Sequence, residues 1–406
     1  MSQPQFDIIV FGATSFVGQI LCQYLVDHFP ADELSWAMAG RSESKLSEVR
    51  ESLGEKSAAI PMLVADASDY EAVKALCLQA KVIISTVGPY ALYGEPMIKA
   101  CCETGTDYCD LTGEAHWIKR MLGPYEAKAK ASGARIVNCC GFDSIPSDLG
   151  VYFLQQQAQL TFGTRCNDIK MRVHRLKGGA SGGTIASVVN LTKEASKDPA
   201  LRKELANPYS ICPSDHSFSA RQKHIEVEYD ERAPGWIAPF IMAGINTRVV
   251  HRSNALLGNA YGEDFLYEEA TLVGDNDKAK KNAKKSARAA RLFVMAAATA
   301  PTRWLLEKFI PQPGEGPTPE QQLKGGFDLR FTGTTAAGDS IKVKVTGDRD
   351  PGYGSTAKML GQSAACLVFD IEGDLAGGFY TPASLLAEPL MPRLREHAGL
   401  TFDVIE

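Results

Sequence analysis

The 406-residue chain has no C-x-x-C pair among its ten cysteines, and its seven histidines are scattered without metal-ligand spacing. Those absences remove the usual zinc signatures, so no metal is expected. No stretch reaches the roughly 18 continuous apolar residues of a membrane span. The opening Met-Ser-Gln-Pro-Gln-Phe lacks the basic start and apolar run of a secretory signal. Nothing repeats at a fixed period. Positive charge is not in excess: 43 Lys plus Arg stand against 48 Asp plus Glu, a net charge of −5. That balance argues against a nucleic-acid partner. What is present is ordinary. The chain is 45% hydrophobic and 22% charged, which excludes disordered, collagenous and disulfide-scaffold classes. Its length suits two domains with a sizeable core. The cysteines, including the neighbours Cys101 and Cys102 and the neighbours Cys139 and Cys140, read as buried thiols acting as small hydrophobes. Reduced thiols fit the cytoplasm better than secretion.

Over the first 150 residues, strand-like and helix-like segments alternate. Apolar runs at Phe6–Phe11, 34–39, 61–65, 82–87, 106–111 and 134–140 read as strands. Helical periods fill the gaps at Phe16–His28, 43–53, 69–79, 95–103 and Ala115–Ser132. This alternation predicts an α/β fold, a Rossmann-type doubly wound parallel sheet. Further on, 168–176, 224–230, Gly326–Thr334 and 340–346 read as strands, with a turn at 178–183 and a helix at 184–196. They predict a second, α+β domain containing a largely antiparallel sheet. Residues 310–319, with four prolines, read as a surface connector, and 355–369 as a helix.

The first turn carries the strongest local motif, Gly12-Ala-Thr-Ser-Phe-Val-Gly18, placed after a strand and opening a helix. A phosphate-binding turn needs glycine where the chain bends tightly and where helix packs on strand, so that free helix N–H groups face the pyrophosphate. Gly12 and Gly18 fit those jobs, with Ala13, Thr14, Ser15 and Phe16 lining the turn. The second strand ends in Gly40-Arg41-Ser42. An acid here would hold the ribose hydroxyls of NAD, whereas Arg41 suits the 2′-phosphate of NADP, and Ser42 adds a donor. Asp66 could face the adenine, and Val87-Gly88-Pro89-Tyr90 could pass the middle of the cofactor. The combination predicts NADP binding.

Two more motifs follow, Asp110-Leu-Thr-Gly-Glu114 and Gly141-Phe-Asp-Ser-Ile-Pro-Ser-Asp148. With the glycine turn, Gly347-Asp-Arg-Asp-Pro-Gly-Tyr-Gly354 and Gly377-Gly-Phe-Tyr-Thr-Pro382, the ensemble resembles the saccharopine dehydrogenase-like oxidoreductases, particularly their trans-acting enoyl reductase branch. Ser15 departs from the pattern, since relatives commonly carry glycine there. The resemblance implies a nucleotide domain made from 1–150 and closed by 352–406, with 151–351 inserted as a substrate or dimerisation domain. A homodimer is one implied assembly. It also implies a reductase, whether of carrier-bound or free acyl chains or of amino-acid-derived imines.

Ligands of open parallel sheets lie beyond the carboxyl ends of the strands. Tyr90, Asp143 and Ser144 are the catalytic candidates there, and Asp110 and Glu114 the candidates for substrate or supporting roles. Each has a plain alternative. Tyr90 follows a proline and could pack a turn, Asp143 and Ser144 could cap a helix with Pro146 in its first turn, and Asp110 and Glu114 could bond locally. The Ser/Tyr/Lys set of short-chain dehydrogenases is not evident, because no lysine stands four residues after Tyr90 or Tyr93.

Between Lys278 and Arg291 stand seven basic residues and no acid, followed by an apolar run and Trp304. This is either a solvated helix face or a docking surface for an acidic carrier domain or an anionic membrane. The reading reached from sequence is an NADPH-dependent reductase of an α,β-unsaturated acyl or lipid-like substrate. An imine reductase and a non-catalytic NADP-binding scaffold are the alternatives. For imines, Arg172, Arg175 and Arg248 would have to converge on substrate carboxylates.

Overall fold

A computed structural model describes residues 4–179, 182–299, 301, 302, 304 and 316–405. The first six strands are β1 Phe6–Phe11, β2 Trp36–Gly40, β3 Met62–Val64, β4 Ala80–Ser85, β5 Asp107–Asp110 and β6 Arg135–Val137. With β13, Gly378–Tyr380, they form one parallel sheet in the order β13-β6-β5-β4-β1-β2-β3. The chain runs outward from β1 to β3, then crosses back to β4 on the other side of β1. Strand order therefore reverses between β1 and β4, where open parallel sheets open a crevice for ligands.

The central strands β1, β2 and β4 are mostly apolar on both faces because helices cover both sides of the sheet. Ile8, Val10, Val82 and Ile84 enter one hydrophobic layer, while Ile9, Phe11 and Ile83 enter the other. The alternation is the period of two that a pleated strand imposes. The first layer runs on through Phe142 and through Ile145, Leu149 and Leu154 of the Ile145–Phe162 helix to a second sheet. One continuous core therefore joins the two sheets.

The second sheet takes β7 Asp168–Lys177, β8 Glu228–Asp230, β9 Gly235–Pro239, β10 Leu266–Gly274, β11 Gly326–Thr334, β12 Ser340–Gly347 and β14 Leu400–Ile405. Its order is β14-β12-β11-β7-β10-β9-β8, and every pair is antiparallel except β7 with β10. The expected fold class holds.

The C-terminal stretch 352–406, expected as a unit of the nucleotide domain, is divided between the sheets. The Thr356–Phe369 helix packs beside the Phe16–His28 helix, and β13 extends the parallel sheet. After the Ala387–His397 helix, Gly399 turns with φ +69°, and β14 pairs with β12 instead. Leu400 and Phe402 are buried on one face of β14 while Thr401 and Asp403 are exposed, so the strand follows the burial pattern of its partner. Of the 310–319 connector, 310–315 lie outside the described residues. Pro317 is buried against Gly179, and Thr318 caps the short Pro319–Leu323 helix.

Candidate active site

The Gly12–Gly18 turn closes on itself so tightly that side chains are excluded at both ends. Gly12 has φ +93°, and a Cβ there would lie 2.7 Å from the Thr86 hydroxyl and 2.8 Å from Val87. A Cβ on Gly18 would lie 2.2 Å from the carbonyl oxygen of Gly12. That carbonyl accepts from the Ser15 N–H and from Thr86 Oγ1, both at 2.8 Å. Ser15 caps the Phe16–His28 helix: its hydroxyl accepts from Gly18 N–H at 2.9 Å and meets Thr86 Oγ1 at 2.9 Å. The serine thus stiffens the turn, tying it to the end of β4. No acceptor among the described residues takes the N–H of Thr14, Phe16 or Val17. Open donors at a helix N-terminus behind a glycine cradle fit a pyrophosphate.

Gly40 ends β2 close to Thr14, so Arg41 stands at the rim of the same turn. The Arg41 side chain is exposed and carries no hydrogen bond within the described residues. Ser42 takes the capping role of the Glu43–Ser52 helix, accepting from Lys45 N–H at 3.4 Å. Asp66 lies exposed beyond β3, where bonds from Ser68, aided by the Arg41 charge, lower its pKa. Its oxygen Oδ1 accepts from the Ser68 hydroxyl at 2.6 Å and N–H at 2.8 Å. These residues fit an NADP 2′-phosphate through Arg41, with Ser42 and Asp66 engaged in shaping the rim.

The loop after β4 is held from below. Glu114 is buried, and its carboxylate accepts from the N–H groups of Tyr90 and Ala91 at 2.9 Å each. The same carboxylate accepts from Ser187 Oγ at 2.9 Å, which ties the loop to the Gly182–Lys197 helix. Tyr90 is buried against Trp117, with ring centroids 5.2 Å apart. Its hydroxyl donates to Ser85 O at 2.8 Å and accepts from Leu111 N–H at 3.4 Å. Burial, with the Asp110 charge next, pushes its pKa well above the usual phenol range. Of the two roles open to Tyr90 in the sequence, this geometry is that of turn packing.

Asp110, at the end of β5, is fully buried and takes four donors: Tyr108 Oη, Thr112 N–H, Asn138 Nδ2 and Cys139 N–H. Burial nevertheless pushes its carboxyl up to about 6. Cys139 adopts φ +64°, a left-handed conformation that non-glycine residues rarely take. Asp143 differs from its neighbours. It is only partly buried, and no other side chain donates to it among the described residues. Methyl groups added at Gly113 and Gly141 would come within 3.3 Å of its two oxygens, so the carboxyl lies between the loops that follow β5 and β6. Burial pushes it up to about 7, with Asp110 adding to the rise.

Ser144 stands at the cap position of the Ile145–Phe162 helix, yet its hydroxyl makes no cap bond. It donates to Asn246 Oδ1 at 3.1 Å. Asn246 in turn donates to Ser147 Oγ and to Glu269 Oε2, at 3.1 and 2.9 Å. Ser144 therefore joins a buried network reaching the Ala243–Leu256 helix and β10. Nothing local in the sequence points to Asn246, which lies 102 residues from Ser144.

The remaining motifs lock this site together. Asp148 accepts from Ser253 Oγ at 2.6 Å and Ala383 N–H at 2.8 Å, binding the Gly141 motif to the end of the Gly377 motif. Asp350 caps its own turn through the N–H groups of Tyr353 and Gly354. The Tyr353 ring meets Phe16 edge-on at 5.0 Å. Thr356 Oγ1 accepts from Phe142 N–H at 2.9 Å and donates to Pro351 O at 2.8 Å. The loop thus touches both the glycine turn and the segment carrying Asp143. Among the described residues no three His, Cys, Asp or Glu gather as metal ligands, and no helix is long and apolar enough to cross a membrane.

Residues 8–137 match the saccharopine dehydrogenase NADP binding domain. The chain is 37% identical over 405 residues to a Mycobacterium tuberculosis protein provisionally named a trans-acting enoyl reductase, covering 96% of this chain and 95% of that one. It is 34% identical over 415 residues to the trans-acting enoyl reductase of Mycobacterium ulcerans, covering 97% and 96%. Among solved structures, apo saccharopine dehydrogenase (L-Glu forming) from Saccharomyces cerevisiae is similar in fold, with a TM-score of 0.53 at 15% identity and coverage of 99% and 100%. The glycine cradle, its open helix donors and Arg41 lie in or beside the matched segment, and the likeness to the mycobacterial proteins spans both sheets. The chain is an NADP-dependent oxidoreductase and belongs to the saccharopine dehydrogenase-like family, alongside the trans-acting enoyl reductases.

Proposed function

We propose that this oxidoreductase reduces the double bond of an α,β-unsaturated acyl substrate, with Asp143 as the proton donor. Bound NADPH supplies the hydride. The Asp143 carboxyl gives its proton to the carbon beside the substrate carbonyl and recovers one from water. A carboxyl held near 7 is half-protonated at neutral pH, which suits a group that must both give and regain a proton. Asp110 keeps that value high by its nearby charge, and its own four bonds hold it in place. Glu114 and Tyr90 keep the loop after β4 rigid, and Ser144 anchors the start of the helix behind Asp143. The observation that carries the reading is the Asp143 carboxyl beyond β5 and β6, to which no other residue donates among the described residues.

The arginine placements favour an acyl over an imine substrate. Arg172 is buried in ion pairs with Asp230 and Glu268. Arg248 donates to Ser210 Oγ, Gly244 O and Leu205 O. Arg175 is exposed near the end of β7. They do not form a carboxylate clamp. The deciding assay follows NADPH oxidation with enoyl thioesters of several chain lengths and with keto-acid and amine pairs. Turnover of enoyl thioesters alone is the expected result. Turnover of imine-forming pairs alone would reverse the reading, and NADPH bound but never oxidised would point to the scaffold.

Arg41 gives a cofactor test. Arg41→Ala should weaken NADPH binding by about 10- to 100-fold, the worth of a charge-assisted hydrogen bond, and leave NADH almost unchanged. Fluorescence titration of both cofactors reads the difference, and equal losses would remove Arg41 from the 2′-phosphate.

A further inference from the structure

The basic stretch becomes a structured surface in the fold. It forms the Asp277–Ala298 helix, capped by Asn276 and packed on β9, β10 and the Gly182–Lys197 helix. Ala279, Ala283 and Ala297 are its buried residues. At 3.6 residues per turn, Lys281, Lys284, Lys285, Arg288 and Arg291 fall within an arc of about 120° on the opposite side. All five are exposed. No acid pairs with any of them among the described residues, and the chain from Lys278 to Leu306 contains none. Inward of this arc, Lys280 lies over the Trp236 ring, 4.4 Å from its centroid.

The same arc changes character at its end. Leu292 and Met295 continue it at 55% and 58% exposure, and Trp304 beyond the helix is 61% exposed. A solvated face would have no need to place large apolar side chains in line with its cations. An acidic protein would use the charges and leave the apolar end uncovered. A bilayer with anionic headgroups takes both: cations meet phosphates, and leucine, methionine and tryptophan enter the boundary below them.

We propose that the outer face of the Asp277–Ala298 helix is a docking surface for an anionic phospholipid membrane. The helix lies flat on the bilayer, with Lys281, Lys284, Lys285, Arg288 and Arg291 at the headgroups and Leu292 and Met295 inserted. This assignment does not rest on the enoyl substrate. It places the enzyme at a lipid surface whichever acceptor it reduces.

Vesicle flotation tests it with the full-length protein. The protein should float with vesicles of phosphatidylcholine plus phosphatidylglycerol and stay behind with phosphatidylcholine alone. Partition should fall steeply with salt as the Debye length shrinks from about 8 Å at 0.15 M to about 3 Å at 1 M. The triple variant Lys281→Glu, Lys285→Glu, Arg288→Glu should lose binding by roughly fivefold for each cation removed, or more. The double variant Leu292→Asp, Met295→Asp should also bind less, although all the cations remain. None of these side chains enters the core, so thermal unfolding and NADPH binding should match the parent and certify the fold. Trp304 fluorescence should shift to the blue on anionic vesicles, a change absent in Trp304→Phe. Equal partition of the parent and the triple variant would overturn the proposal. So would indifference to headgroup charge, or tight binding of an acidic acyl carrier protein without vesicle binding.

Discussion

Asp143→Asn should lower kcat by about 10²–10⁴-fold while leaving NADPH affinity almost unchanged, because it removes one proton donor and little volume. Asparagine keeps the shape between Gly113 and Gly141 but cannot release a proton. In the parent, the carboxyl is protonated below about 7 and charged above it, so kcat should fall along an alkaline limb centred near that value. The residual rate of the variant should lack this limb. Stability gives a second readout with its own sign. An acid whose pKa is raised by folding holds the native state back as pH climbs from its unfolded value through about 7. The variant should therefore match the parent in acid, gain on it as pH rises towards 7, and keep that full gain above neutrality. A kcat loss without any change in the pH profile would mean that Asp143 only supports the loop.

Arg172→Met should cost about 3–5 kcal/mol of folding stability, because it strips the cation from two buried carboxylates. Arg172 is 2% exposed. Its Nε donates to Asp230 Oδ2 at 2.6 Å, Nη1 to Met171 O at 2.9 Å, and Nη2 to Glu268. Burial alone would raise the Asp230 carboxyl, but the Arg172 charge and hydrogen bond, with the N–H groups of Arg232 and Ala233, hold it below the usual range. A lowered acid contributes stability above its unfolded pKa and loses it as pH falls through its folded value. The deficit of the variant should therefore be full at neutral pH and shrink in acid. Denaturant unfolding at several pH values measures this. Below the melting transition, KM for an enoyl thioester should hold. A large rise in KM with unchanged stability would return Arg172 to substrate binding and revive the imine reading.

Those two residues mark where the sequence was legible and where it was not. The Phe16–His28 helix and the Ala115–Ser132 helix match their expected bounds, since each is bracketed by turn residues and follows one apolar period. The parallel sheet was equally open to view, because its central strands β1, β2 and β4 are largely apolar runs bounded by turns. β10 was not, because Leu266-Tyr-Glu-Glu-Ala-Thr-Leu-Val-Gly274 carries two acids into the interior. They are tolerated through Arg172 and Asn246, which arrive from elsewhere in the chain, and through the neighbouring Tyr267 hydroxyl. β14 is hidden for a related reason: only its first four residues alternate, and only β12 supplies the face that makes the alternation count.

By itself, the sequence determined the nucleotide half and its cofactor. A glycine turn, a strand and a following arginine act within a few residues, so their spacing is already their geometry. Tertiary structure alone distinguished the polar candidates. Tyr90, Asp110, Glu114, Ser144 and Asp143 all sit in suggestive motifs, yet four of them spend their polar atoms on other residues, and Asp143 alone of the five takes no donor from another described residue. Whether a side chain has such a partner depends on residues up to about a hundred positions away. The −5 net charge hides a local cluster of cations that the sequence already shows, and the packing of Ala279 and Ala283 decides that their face turns outward. Local chemistry is written in the order of residues, whereas desolvation and pairing exist only once distant segments meet.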